Sequence, residues 1–161
     1  MTEDQQTQFN KYGCVSRSII KATEIRNTPI SPDDFITRYS HLFPKDQCGL
    51  LSIDGFCEVV KALGLAKRVN STIDVPYIIE CLQRGMKSHI FMMSERIPPE
   101  ETPNGHCRLV LVQGTVPAQN HLKVEVLKCF CPRSDGSDNN DELVLCSALP
   151  QLVVHFFVLT Q

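Results

Sequence analysis

The sequence predicts an α+β fold, with a helical first half packed on a C-terminal antiparallel sheet and a cleft between the halves. Three observations carry this. Up to Gly85 the apolar residues recur at helical spacing behind residues that cap helices. Beyond it the spacing changes to apolar runs and to alternation. Polar segments containing Gly or Pro separate those later runs. Helices first and strands second is the α+β pattern.

The elements follow in order. MTEDQQTQFNKYG is polar and acidic. A first helix opens at Cys14, with Val15, Ile19, Ile20 and Ala22 as its apolar stripe. In TPISPDDFITRYSHLF, Ser31 is the N-cap, Pro32 suits the first turn, and Asp33 and Asp34 complement the positive helix end. Phe35, Tyr39 and Phe43 share its apolar face. A third helix carries Phe56, Val59, Val60 and Leu63 and ends at Gly64. A fourth, capped by Ser71 or Asp74, carries Ile78, Ile79 and Leu82. SHIFMMSE reads as a buried strand over 88–94, and RIPPEETPNG as a loop. Strands over 106–116 and 122–130 form a hairpin across the turn PAQNH. PRSDGSDNNDE reads as a loop, followed by a short segment LVLCS and a terminal strand QLVVHFFVLT.

The chain of 161 residues suits one domain over 1–161. A net charge of −2 gives no basic footprint for nucleic acid, and no apolar run is long enough to span a membrane. The polar N-terminus is unlike a secretory signal, so the expected location is cytoplasmic, or exported without a cleaved leader. The oligomeric state stays open. Eight cysteines (14, 48, 57, 81, 107, 129, 131 and 146) lie mostly among apolar neighbours and read as reduced thiols. No P-loop, dinucleotide fingerprint, HExxH or GxSxG is present, so no cofactor is expected.

Cys14 is the first candidate for chemistry. A helix N-terminus lowers a thiol pKa, and Gly13 allows close backbone approach just before it. The alternative is a buried structural thiol. A nucleophilic Cys needs a base from another element. Of five histidines, His106 is best placed, opening a strand after the loop that ends in Asn104-Gly105. Gln8, on a loop six residues before Cys14, can donate to an oxyanion alongside the Cys14 backbone N–H. A zinc site from His106-Cys107 and Cys129-x-Cys131 is a further alternative. It lacks the usual C-x₂₋₄-C pair, and adjacent strand residues point to opposite faces.

The order Gln8, Cys14 opening a helix, then His106 opening a strand resembles that of papain-like cysteine peptidases. The pieces TPISPDDFI, CGLLSIDGFCEVVKALGL, YIIECLQRGMKSHIFMM and GHCRLVLVQG look most like the compact bacteriocin-leader-peptidase branch, over residues 8–132. The resemblance implies cleavage of a peptide or protein amide through a thioester, with no metal. Small papain-like domains in bacterial effectors and toxins use this chemistry both as proteases and as glutamine deamidases. The chain departs from the pattern in three places. Val15 follows the Cys where the family has Gly, there is no Trp, and Cys131-Pro132 stands where the family has Asp-Pro. Asp135 or Asn120 is left to orient His106. An incomplete triad would instead imply a catalytically silent module that binds a protein. Loops 95–105 and 133–142 are the expected sites of substrate selection.

Overall fold

The computed structural model describes the backbone of residues 1–84, 89–95 and 106–161. It also describes their side chains, except at 95, 106–107, 112–113, 121, 139–141 and 152–155. The fold is mixed α+β. Four helices come first: α1 (Glu3–Tyr12), α2 (Cys14–Ile25), α3 (Pro32–Tyr39) and α4 (Ile53–Ala62). Then follow β1 (Arg68–Thr72), α5 (Val75–Gln83), β2 (His89–Glu95), β3 (His106–Pro117), β4 (Lys123–Pro132), β5 (Asp138–Leu145), the single turn α6 (Leu149–Leu152) and β6 (Val153–Thr160). The strands form one antiparallel sheet in the order β1-β6-β2-β3-β4-β5.

Local chemistry sets most helix starts. Ser31 Oγ accepts from Asp34 N–H at 3.1 Å, Ser52 Oγ from Gly55 N–H at 3.0 Å, and Asp74 Oδ1 from Tyr77 N–H at 3.0 Å. Each bond satisfies one orphan amide of a helix end. Asp74, not Ser71, is thus the cap of α5. Gly64, at φ +70°, follows α4 in the left-handed region that a glycine adopts without strain.

The central strands of the sheet are buried on both faces. On one face α2, α3 and α4 cover Met92, Leu109, Phe130 and Leu159 with Ile19, Phe35 and Val59. On the other, Ile78 of α5 and Leu149 pack on Met93, Leu127, Phe156 and Val158. Met92 and Met93 are adjacent and both fully buried, which explains why β2 reads as a continuous apolar run. Among the described residues no helix is long and apolar enough to cross a membrane.

Three expectations need correction. The N-terminal segment is a helix, α1, and Gln8 lies on it rather than on a loop. Its start is a capping box between Thr2 and Gln5. A short polar strand, β1, precedes α5 and pairs with β6, where no strand is expected. The loop expected over 133–142 contracts to a turn, and from Asp138 the chain is strand β5. Its polar residues suit an edge strand that has a neighbour on one side only. Of the loop expected over 95–105, residues 96–105 lie outside the described residues.

Candidate functional site

Gly13 is both the C-cap of α1 and the N-cap of α2, so one residue separates the two helices. Its N–H donates to Phe9 O at 2.9 Å, and its own carbonyl accepts from Arg17 N–H at 2.7 Å. No side chain caps α2, and no acid lies in its first turn. Cys14 therefore begins a 12-residue helix at the positive end of its dipole. Cys14 is half-buried at the border of the helix-side core. The described cysteines are thiols, with no disulfide among them.

The glycine is required by packing. A Cβ at Gly13 would sit 2.4 Å from Phe9 O. Close beside it lies Gly49, itself at φ +92°, whose Cβ would sit 3.0 Å from Gly13 Cα and 2.6 Å from the Phe9 ring. Two further bonds hold this loop against the helices. The Cys48 N–H donates to Gln8 Oε1 at 3.1 Å, and the buried Ser16 hydroxyl donates to Gly49 O. Burial pushes the Cys48 thiol pKa up. Gln8 Nε2 donates to Asp4 Oδ2 at 2.9 Å. The two bonds fix which end of the Gln8 amide is oxygen, and one of its two Nε2 hydrogens goes to Asp4.

The direction of α2 across the sheet follows from two contacts. Arg17 reaches the turn between β4 and β5, donating to Arg133 O at 2.6 Å and Ser137 O at 3.2 Å and pairing with Asp138. One turn later Lys21 Nζ lies 5.7 Å from the Phe130 ring, inside β4. Going from Arg17 to Lys21 thus moves from the end of β4 toward its middle. Cys14 lies one turn in the opposite direction, at the sheet's end. β3 begins at that same end, since Leu109 pairs with Phe130 and the antiparallel register continues from there toward His106 and Arg133. The backbone therefore brings the N-terminus of α2 and His106 to one end of the sheet. His106 pairs with Glu95 of β2. Its side chain lies outside those described.

The two residues considered for orienting His106 fall at opposite ends. Asp135 is exposed in the β4–β5 turn, at the His106 end. Its Oδ1 accepts from Ser137 N–H at 2.8 Å and from Ser137 Oγ at 2.6 Å, and these bonds hold its carboxyl below the usual carboxylate range. Asn120 sits in the turn after Pro117, at the far end of β3, with φ +59°. A strand of 12 residues spans roughly 40 Å at about 3.3 Å each, so Asn120 cannot reach His106.

A polar cluster that the sequence does not announce lies beside this end. Arg108 on β3 and Arg133 both pair with Glu142 on β5, the latter at 3.2 Å. Burial alone would raise Glu142, but hydrogen bonds from Arg108 and Cys131 and the two guanidinium charges hold it below the usual range. Cys131 is buried, and that burial pushes its thiol up to about 12, helped by the bond to Glu142 and opposed by the charge of Arg108. It is a neutral thiol at neutral pH. The described residues hold no group of three potential metal ligands, and the zinc alternative falls in part on His106 and Cys107, whose side chains lie outside those described.

Family models, curated proteins and solved structures show no match to this chain.

The capping box of Thr2 and Gln5 could have located α1. Nothing local in the sequence points to Arg17, whose acceptors lie mostly in a turn more than a hundred residues away.

Proposed function

We propose that the protein is a papain-like cysteine-dependent amide hydrolase, most simply a peptidase acting on a peptide or protein. The observation that carries this is the direction of α2. It puts a thiol at a helix N-terminus that no side chain caps and the first residue of β3 at the same end of the sheet. In this reading Cys14 Sγ adds to the carbonyl carbon while its proton passes to His106. His106 gives that proton to the leaving nitrogen as the C–N bond breaks, leaving a thioester. Water then adds to the thioester, loses a proton to His106, and releases the acid as Cys14 is reprotonated. The Cys14 N–H and the second Nε2 hydrogen of Gln8 are the donors for the oxyanion. A main-chain amine as leaving group makes the enzyme a peptidase, and ammonia from a glutamine makes it a deamidase. The substrate-binding cleft belongs to the same proposal.

A silent papain-like module that binds a protein is the second reading. It is favoured by Cys131, a buried neutral thiol where the family has an acid, and by Asp135, whose described bonds go to Ser137.

The test is the rate of Cys14 alkylation by iodoacetamide against pH, read by peptide mass mapping, in wild type and His106→Ala. An activated pair labels fast well below the ordinary thiol pKa of about 8.5 and loses this in the variant. Labelling with the profile of an ordinary thiol in both proteins leaves only the binding module.

A further inference from the structure

We propose that Arg17 is a positioning residue, whose guanidinium sets the Cys14 helix in register with the strand that begins at His106. The inference rests on the hydrolase reading above. Arg17 is only 7% exposed, yet it carries a charge, and its packing explains how. Nη1 donates to Asn10 O at 3.3 Å and to Arg133 O at 2.6 Å. Nη2 donates to Ser137 O at 3.2 Å and to the Asp138 carboxylate. All four Nη hydrogens are thereby used, on acceptors from α1 and from the β4–β5 turn, while the side chain itself springs from α2.

This geometry couples the two halves of the candidate site. Cys14 is three residues before Arg17 on the same rigid helix. Arg133, whose carbonyl Arg17 grips, lies level with His106 when the β3–β4 register is continued. A shift of α2 along the sheet would break several of these bonds together. Three of the four acceptors are backbone carbonyls, so the fork reads the position of the main chain and not merely a charge. A lysine offers three donors from one atom and cannot span these acceptors. A purely electrostatic role would be satisfied by the Asp138 contact alone.

A cavity of about 500 Å³ between α1, α2 and the β4–β5 turn is lined by Arg17 together with Phe9, Lys21, Phe130 and Asp138. Truncating Arg17 would open this cavity onto the four acceptors, where a small guanidinium ion could take the side chain's place as donor.

The experiment is the Cys14 alkylation profile against pH in wild type, Arg17→Lys, Arg17→Ala and Asp138→Asn, with folding of each checked by circular dichroism. Wild type should show the low apparent pKa of an activated thiol. Arg17→Ala should raise it by about one unit, a tenfold loss of thiolate at low pH. Millimolar guanidinium should restore it, and equal ammonium should not. Arg17→Lys should shift it as well, since the charge is kept and the fork lost. A folded Arg17→Ala or Arg17→Lys with the wild-type profile overturns the inference while the hydrolase reading stands. If Arg17→Ala does not fold, Arg17→Lys decides: a raised pKa supports the role, and an unchanged one overturns it, whereas Asp138→Asn, which keeps an acceptor and the three carbonyls, should retain the wild-type profile. An ordinary thiol profile in wild type itself overturns the hydrolase reading, and the inference with it.

Discussion

Gly13→Ala is the sharpest test of how the Cys14 helix is seated. The added methyl would lie 2.4 Å from Phe9 O and 3.1 Å from Phe9 Cδ2. Backbone φ at Gly13 is −95°, which any residue adopts, so the penalty is steric. The atom in the way is the acceptor of Gly13's own N–H. Phe9 has little room to retreat, being 2% exposed, with Gly13 and Gly49 both close to the Cδ2 edge of its ring. Overpacking of this kind costs about 1–3 kcal/mol, and loss of the cap bond about 1 more. We expect roughly 2–4 kcal/mol from urea titration at pH 7, as the sum of these two. Two other glycines calibrate the assay, since neither would bring a Cβ within 4 Å of a neighbour. Gly64→Ala carries only the left-handed strain, about 1 kcal/mol. Gly114→Ala should lie within about 0.5 kcal/mol of wild type. The clash is relieved by moving the start of α2, and a displacement of about 1 Å can cost about a hundredfold in rate. Cys14 labelling at low pH should therefore slow in Gly13→Ala and not in the other two. A Gly13→Ala midpoint equal to that of Gly114→Ala would refute the close approach on which this reasoning depends.

Gln8→Ala leaves the Cys48 N–H without its acceptor and should cost about 1–2 kcal/mol in a urea titration. Under the hydrolase reading it should also lower turnover by about 10²–10³, and turnover kept intact would remove Gln8 from the oxyanion site. Asp135→Asn should leave the Cys14 labelling profile unchanged, because the acid's described bonds go to Ser137. A raised apparent pKa in that variant would assign Asp135 to orienting His106. The Cys131 thiol, raised from 9.0 to about 12 in the fold, keeps its proton where the unfolded chain loses it. Its stabilising contribution is whole below pH 9 and is lost between pH 9 and 12. Stability should fall by about 1 kcal/mol near pH 10, with a shallower slope in Cys131→Val, and an identical slope would contradict the assignment.

The parts of this protein legible in its sequence are those fixed by neighbours along the chain. Ser31 caps α3 and Asp74 caps α5 through amides three residues on, and alternation marks β3 and β4. Cys14 is legible as a helix start because Gly13 interrupts the pattern before it. α1 escapes a periodicity argument because Phe9 is its one buried residue, although its capping box is written in Thr2 and Gln5. β5 escapes because a half-exposed edge strand tolerates the polar residues of a loop. β1 has five residues and gains its identity only from pairing with β6, far along the chain. Arg17 reads as a solvated charge on an amphipathic helix. Only the register of β3, β4 and β5 brings to it the carbonyls that bury it.

The separation of Arg17 and Asp138 has a consequence for the growing chain. The two residues stand 121 positions apart. At about 5–20 residues per second, a ribosome needs roughly 6–24 s to travel from one to the other. Early in that interval, once Gly49 has emerged, α1, α2 and the Gly49 loop can assemble from local contacts, with the thiol at the helix start already in place. The strand that begins at His106 is made late in the interval, and the turn that locks the helix to it comes only at its end. Under the hydrolase reading, the chain stays inert during synthesis until that turn has closed on Arg17.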